Sequence, residues 1–317
     1  MSMKNMWRFG FAAFLLGGTA LSANAGPALV IEPESGLVIY AEDADRVWHP
    51  ASLTKLMTAY ITFEALRDGK LSLADKVTCS DHARSQPPSK IGLPVGADMS
   101  VELALKALIV KSANDVAVML AERLAGSEAA FVARMNATAK RLGMTRTRFV
   151  NPHGLPNDQQ VTTARDMATL GRAILREFPD RAELFSTPSF KIGNRTLRSH
   201  NKLLKTFEGA DGMKTGFICA SGFNVIASAK RGDVSIMAVV LGEKSSGART
   251  ARASRLIQHG FDFRAWKAMF STRIDQMEID QTAQSAPGDM APIVCKPRKV
   301  KPRAKKKRPK VVKKAKP

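Results

Sequence analysis

Between Ala51 and Arg176 apolar residues recur at helical spacing, whereas from Phe190 to Leu241 they fall in short runs divided by Gly, Asp and Ser. That change, from helical spacing to short strand-like runs, sets the fold class before any single residue is considered. Leu53, Leu56, Met57, Tyr60 and Ile61 stand three and four apart and predict a core-facing helix over Ala51–Leu66. Pro50 suits its start and Gly69 its end. Further helices are expected over Val101–Val110, Asp115–Leu124 and Ser127–Leu142, the last capped by Ser127, and from Thr163-Ala164-Arg165-Asp166 through Arg176. Two strands, Ala28–Ile31 and Leu37–Ala41, precede them, and Thr78–Gly96 reads as loop. Phe190–Ile192, Met213–Phe217, Phe223–Ala229 and Val234–Leu241 are strand-like, with Arg231-Gly232-Asp233 a hairpin turn. A final helix, Arg249–His259, is expected to end at Gly260. Strands, helices, strands and a closing helix predict an α+β domain, an antiparallel sheet covered by helices.

The two ends do not share this pattern. Lys4 and Arg8 precede the apolar stretch Phe9–Leu21, and Ala23-Asn24-Ala25 closes it as an A-x-A site, the layout of a secretory signal peptide over residues 1–25. The stretch is shorter than the roughly 20 apolar residues that span a bilayer. At the other end, the net charge of +21 is uneven: Lys296–Pro317 holds thirteen Lys/Arg and no Asp/Glu, leaving +8 for the rest. A tail of Lys and Pro with little apolar content has too little surface to bury and is expected to be disordered over residues 295–317, after a linker over 271–294. On an exported chain such a tail would be drawn to anionic head groups or wall polymers rather than to nucleic acid. A solvated charge run with no dedicated partner is the plainer alternative.

Cys79, Cys219 and Cys295 are too few for a disulfide framework; a Cys79–Cys219 bridge and two buried, reduced cysteines both remain open. The five histidines show no metal-ligand spacing, and no phosphate loop or dinucleotide fingerprint occurs, so no metal or cofactor is expected.

Three short sites carry the chemistry: Ser52-Leu53-Thr54-Lys55, Ser112-Ala113-Asn114 and Lys214-Thr215-Gly216, in that order. Each alone is weak, since Ser199-His200-Asn201-Lys202 also fits S-x-x-K. Ser52, however, opens an apolar-periodic helix, and Lys214-Thr215-Gly216 precedes two strand-like segments. A serine hydroxyl needs a base within hydrogen-bond reach to act as a nucleophile. Lys55, three residues on, shares its helix face and can serve if burial or a neighbouring cation keeps it neutral; Lys214 is the candidate neighbour.

From about Ala28 to Phe263 the chain resembles the low-molecular-mass penicillin-binding proteins, the serine D-alanyl-D-alanine carboxypeptidases. Asn151-Pro152-His153-Gly154-Leu155, Asp166-Met167-Ala168, the His200-Asn201 stretch, Asp211-Gly212-Met213 and Ser221-Gly222-Phe223-Asn224 add to the likeness. The resemblance implies a β-lactamase/transpeptidase-like domain over residues 26–270 with an inserted helical subdomain. It implies that Ser52 attacks the bond between the terminal D-alanines of a peptidoglycan stem peptide, with Lys55 as base. Amides of Ser52 and Phe217 would stabilise the oxyanion, and Ser112 with Lys214 would pass a proton to the departing D-alanine. Asn114 would bond the substrate backbone, Thr215 and Arg249 would grip its carboxylate, and Gly216 belongs to the same binding strand. β-Lactams would acylate the same serine and leave slowly. Cleavage of D-alanyl cross-links is a related option, as is a β-lactamase, though no E-x-x-L-N loop lies between Ser112 and Lys214. A non-enzymatic wall- or membrane-binding protein acting through the tail is the alternative of another class. The implied location is the periplasmic or wall side of the membrane. His200 stands where several relatives carry arginine, Ala113 where glycine is common, and His153 reads as a loop brace. The basic tail takes the place of the family's β-rich domain and amphipathic anchor, so attachment is expected to be electrostatic.

Overall fold

In the computed structural model, residues 26–295 are described; the expected signal peptide and the basic run beyond Cys295 lie outside them. The strands are β1 (Ala28–Ile31), β2 (Val38–Glu42), β3 (Lys76–Thr78), β4 (Asp98–Ser100), β5 (Ser189–Ile192), β6 (Arg195–Arg198), β7 (Ala210–Ile218), β8 (Gly222–Arg231) and β9 (Val234–Glu243). The first helices are α1 (Lys55–Arg67), α2 (Asp81–Ser85), α3 (Val101–Lys106), α4 (Asn114–Ala125) and α5 (Glu128–Arg141). After them come α6 (Ala164–Glu177), α7 (Glu183–Ser186), α8 (Leu203–Thr206), α9 (Ser246–Lys267) and α10 (Ala291–Val294). Five strands form one antiparallel sheet in the order β2-β1-β9-β8-β7, while β3–β4 and β5–β6 are separate hairpins. The chain is therefore α+β, with α1–α8 inserted between the second and the last three strands of the main sheet.

Alternation along the central strands makes two apolar layers. Val225, Ala227 and Ala229 of β8 and Ile236, Ala238 and Val240 of β9 face α9 through Ala253 and Ile257. Ile226, Met237, Val239 and Leu241 face the larger core shared with α1, α4 and α6. A strand with both faces covered is apolar at most positions, which is why these segments read as hydrophobic runs, broken in β8 by the buried Asn224 and Ser228.

The helix boundaries departed from expectation in informative ways. Ser127 Oγ accepts from Ala130 N and Thr163 Oγ1 from Asp166 N, so both expected caps form. The helix expected from Ala51 opens as a 3₁₀ turn over Ala51–Thr54 before α1 begins at Lys55. The segment expected as loop over Thr78–Gly96 contains α2. The closing helix does not stop at Gly260 but runs 22 residues, to Lys267. A Cβ at position 260 would lie 2.4 Å from Ile236 Cγ2, so that glycine permits close helix–sheet contact rather than ending the helix.

One further expectation is corrected, and one alternative left open is resolved. Residues 271–295 are packed onto the domain rather than free of it. Thr272 O accepts from Val38 N, Ile274 N donates to Gly36 O, and Met290 is buried with its N donating to Ala220 O at 2.9 Å. The cysteine that pairs with Cys219 is Cys295, while Cys79 is a reduced, buried residue in the helical core. Cys295 can reach Cys219 only because the preceding segment folds back.

Candidate active site

The 3₁₀ turn is where the site begins. In 3₁₀ geometry residues i and i+3 eclipse, which stacks Lys55 on Ser52. Lys55 Nζ is 3.1 Å from Ser52 Oγ, 2.7 Å from Asn114 Oδ1 and 2.5 Å from His153 O. The lysine is wholly buried, whereas Ser52 is partly open to a cleft of about 520 Å³. Asn114 donates through Nδ2 to Pro87 O, which turns its carbonyl oxygen toward Lys55. Burial first, and then the charge of Lys214, hold the Lys55 ammonium well below its ordinary range, with Asp115 opposing.

The position of the turn is set from behind. Asn224, on β8, donates to His49 O and Pro50 O and accepts from Gly242 N, clamping the chain just before Ala51, whose φ is +48°. Gly154, at φ +86°, abuts the turn: a Cβ there would fall 1.9 Å from Ala51 O. Thr58 Oγ1 donates to Pro152 O and so ties the same loop to α1. The loop thereby delivers the His153 carbonyl to Lys55. The His153 ring accepts from Leu155 N, and burial pushes its pKa down to about 3, so it braces the loop as a neutral group.

Ser112 follows an i→i+5 turn over Ala107–Lys111 and sits in the left-handed region, φ +62°. A non-glycine residue there is strained, and such strain collects at functional sites. Lys214 Nζ, on β7, donates to Ser112 Oγ at 2.9 Å and to Thr215 O at 2.8 Å. Burial, then the Arg249 charge, lower Lys214 to about 7. β7 is an edge strand, so the side not paired with β8 faces the Ser52 turn. Gly216 makes that approach possible, since a Cβ would lie 3.0 Å from both Pro50 O and Ser52 N.

All nine sequence-expected residues meet here. Ser52, Ser112, Asn114, Thr215, Gly216, Phe217 and Arg249 line the cleft, and Lys55 and Lys214 stand buried behind them. Arg249 Nη2 donates to Ser246 Oγ and His200 O, with its guanidinium 6.0 Å over the Phe223 ring, and burial lowers it to about 10. His200 lines the cleft; reduced hydration and the charges of Lys214, Lys111 and Arg249 lower its pKa. Within the protein the Asn114 amide contacts Lys55 through Oδ1 and Pro87 O through Nδ2, whose second hydrogen stays available to a ligand.

Sequence reasoning gave no role at the site to four features: the His153 carbonyl, Asn224, Asp115, and the Pro88-Ser89 stretch on the cleft wall. Asp115 is fully buried and accepts from Ile91 N, Gly92 N and Val116 N, fixing that stretch to the start of α4. Its place directly after Ser112-Ala113-Asn114 was the available signal.

The geometry brings together a hydroxyl, a buried amine of lowered basicity, a second lysine–serine pair and an arginine on one cleft, a set suited to acyl transfer through serine. The model of the D-alanyl-D-alanine carboxypeptidase family, peptidase S11, matches residues 17–245. This chain belongs to that family. It is 36% identical over 251 residues to the D-alanyl-D-alanine carboxypeptidase DacC of Escherichia coli, covering 77% of this chain and 63% of that protein. To DacF of Bacillus subtilis it is 35% identical over 246 residues, covering 76% of this chain and 63% of the relative. The chain thus spans a little under two thirds of the length of these relatives. Among solved structures, penicillin binding protein 5 from Haemophilus influenzae superposes with a TM-score of 0.73 at 33% identity, covering 78% of this chain and 73% of that one. Penicillin-Binding Protein D2 from Listeria monocytogenes, in its cefotaxime-bound form, gives 0.69 at 34% identity, covering 76% and 98%.

Proposed function

We propose that this chain is an exported serine D,D-carboxypeptidase that removes the terminal D-alanine from peptidoglycan stem pentapeptides through an acyl-enzyme on Ser52. The observation that carries the reading is the environment of Lys55 Nζ. A neutral amine has two N–H donors and one lone pair. Burial and the Lys214 charge favour that neutral form; in it Asn114 Oδ1 and His153 O, which can only accept, take both donors, and the lone pair is left for the Ser52 hydroxyl.

The reaction follows from that assignment. Ser52 Oγ attacks the carbonyl carbon as its proton passes to Lys55, and the oxyanion is met by the amides of Ser52 and Phe217. The C–N bond breaks, and the departing D-alanine amine takes a proton through Ser112, replenished from Lys214. Water then adds to the ester: Lys55 returns its proton to Ser52 Oγ, the proton released by the water restores Lys214, and the shortened peptide leaves. Thr215 and Arg249, on the cleft wall, hold the substrate's terminal carboxylate.

β-Lactams are proposed as acylating inhibitors at Ser52. The cefotaxime-bound relative supports this, at 34% identity. Export is supported by the A-x-A site after Leu21 and by the Cys219–Cys295 disulfide, a bond that persists in oxidising compartments. Among the described residues no helix is long and apolar enough to cross a membrane.

The test is D-alanine release from a soluble pentapeptide, with mass spectrometry after penicillin treatment. Ser52→Ala should lower the rate on the order of a million-fold and abolish the penicillin adduct. Undiminished release by that variant rejects the reading.

A further inference from the structure

In the proposed acyl transfer two amides meet one developing oxyanion, and they come from distant parts of the chain. Ser52 N belongs to the 3₁₀ turn that follows Trp48-His49-Pro50, and Phe217 N to the end of β7. β7 is an edge of the sheet, so its last residues have a strand partner on one side only. Beyond it lies the short turn Cys219-Ala220-Ser221 into β8. An oxyanion site assembled from an edge strand and a separate turn depends on what fixes one against the other.

Residues 284–295 touch both parts. Gln284 O accepts from Val47 N at 3.2 Å, and Gly288 lies so close to the Trp48 ring that a Cβ would fall 2.1 Å from it. Gly242, near the end of β9, approaches the same ring, at 2.5 Å by the same measure. Trp48 Nε1 donates to Ser221 O at 2.9 Å, which ties the approach to Ser52 directly to the β7–β8 turn. Met290 N donates to Ala220 O at 2.9 Å, and Met290 is buried against Gly222. The Cys219–Cys295 disulfide closes the contact just after α10. One segment therefore meets residues 47–48 on one side and 219–222 on the other. Trp48, Cys219 and Met290 do not line the cleft, whereas Phe217 and Ile218, immediately before Cys219, do.

We propose that residues 284–295 form a clasp that fixes the oxyanion site, with Trp48, Cys219 and Met290 as positioning residues that hold the Ser52 and Phe217 amides at one separation. The inference rests on the carboxypeptidase reading, which gives those two amides a charge to stabilise. Loosening the clasp leaves the Ser52–Lys55 pair and the Arg249 side chain in place, because neither is bonded to residues 284–295. It frees the end of β7 to move away from the Ser52 turn. The loss then falls on transition-state stabilisation rather than on substrate binding.

The experiment compares the mature protein with Cys219→Ser/Cys295→Ser and Trp48→Phe on soluble pentapeptide. It also follows the ester carbonyl of the penicillin acyl-enzyme by infrared difference spectroscopy with ¹³C-labelled penicillin. Cys219 is exposed, so the parent can be reduced without any substitution: a small dithiol passes two electrons and two protons to the bond, leaving two thiols and its own disulfide. The double serine variant and the reduced parent should show kcat lower by about tenfold with KM within about twofold. Their ester carbonyl band should move to higher wavenumber, as a weakened oxyanion-site hydrogen bond requires. Reoxidation of the parent should restore both. Trp48→Phe keeps the disulfide but loses the bond to Ser221 O, and should move the band the same way with kcat about threefold lower. An unchanged kcat and an unmoved band in the reduced parent overturn the proposal. So does a slower enzyme whose band stays in place, since the loss then lies outside the oxyanion site, or a loss confined to KM. A parent that neither releases D-alanine nor takes up penicillin rejects the carboxypeptidase reading itself, and the clasp with it.

Discussion

Lys55 and Lys214 are the same residue type, both shut off from solvent in one cleft wall, and neither is ion-paired with a carboxylate among the described residues. Their partners separate them. Lys55 meets one hydroxyl and two carbonyl oxygens; Lys214 meets one hydroxyl and one carbonyl, with Arg249 as its charged neighbour. Loss of hydration lowers both, and the charge of Lys214 lowers Lys55 as well. In the proposed mechanism the pair divides into a base, Lys55, and a proton donor, Lys214.

The sharpest way to break that division is to fix the charge at position 55. Lys55→Arg, which holds its proton throughout the working range, should lower penicillin acylation by roughly four orders of magnitude. An acylation rate within tenfold of the parent would contradict the base role. Next in size is Gly154→Ala. With φ +86° and only 1.9 Å to Ala51 O, a methyl must displace either the Ser52 turn or the His153 carbonyl, and a shift near 1 Å costs about a hundredfold in kcat/KM.

These two positions differ in how well the sequence announced them. Ser52, Lys55, Ser112 and Lys214 act through their side chains at fixed local spacing, so the motif carries the chemistry with it. The carbonyl of His153 acts through backbone, and any residue would supply one; only the neighbouring Gly154 hints that the loop must come close. The two-layer α+β sheet was legible because β8 and β9 are apolar on both faces. The fold-back of residues 271–295 was not. It is held by backbone hydrogen bonds, a glycine against Trp48 and one disulfide, none of which leaves a hydrophobic period to read. Gly260 misled in the same way, because a glycine that permits helix–sheet contact resembles one that ends a helix.

Smaller effects sharpen the comparison from the Lys214 side. The rate of acylation should rise with pH as Lys55 becomes neutral and fall near 7 as Lys214 loses the proton it donates. Lys214→Arg keeps the cation, so the falling limb should move to higher pH, with kcat about tenfold lower from imperfect geometry. An unmoved alkaline limb in a pH–rate profile would assign it elsewhere. Smallest is Asp115→Asn. It weakens the bonds to Ile91 N and Gly92 N, loosening the Pro88-Ser89 wall at a stability cost of about 1–3 kcal/mol in denaturant titration, with a severalfold loss in kcat/KM.

The central claim is that Lys55 is a neutral amine at working pH because burial and the Lys214 charge disfavour its ammonium form, which frees a lone pair for Ser52. The direct measurement is a pH titration of the ¹⁵Nζ resonances of the unliganded protein, with Lys55 assigned by its loss in Lys55→Arg. The account predicts an amine signal at neutral pH and a transition far below the ordinary lysine value of 10.5. An ammonium signal that persists up to that value would contradict it.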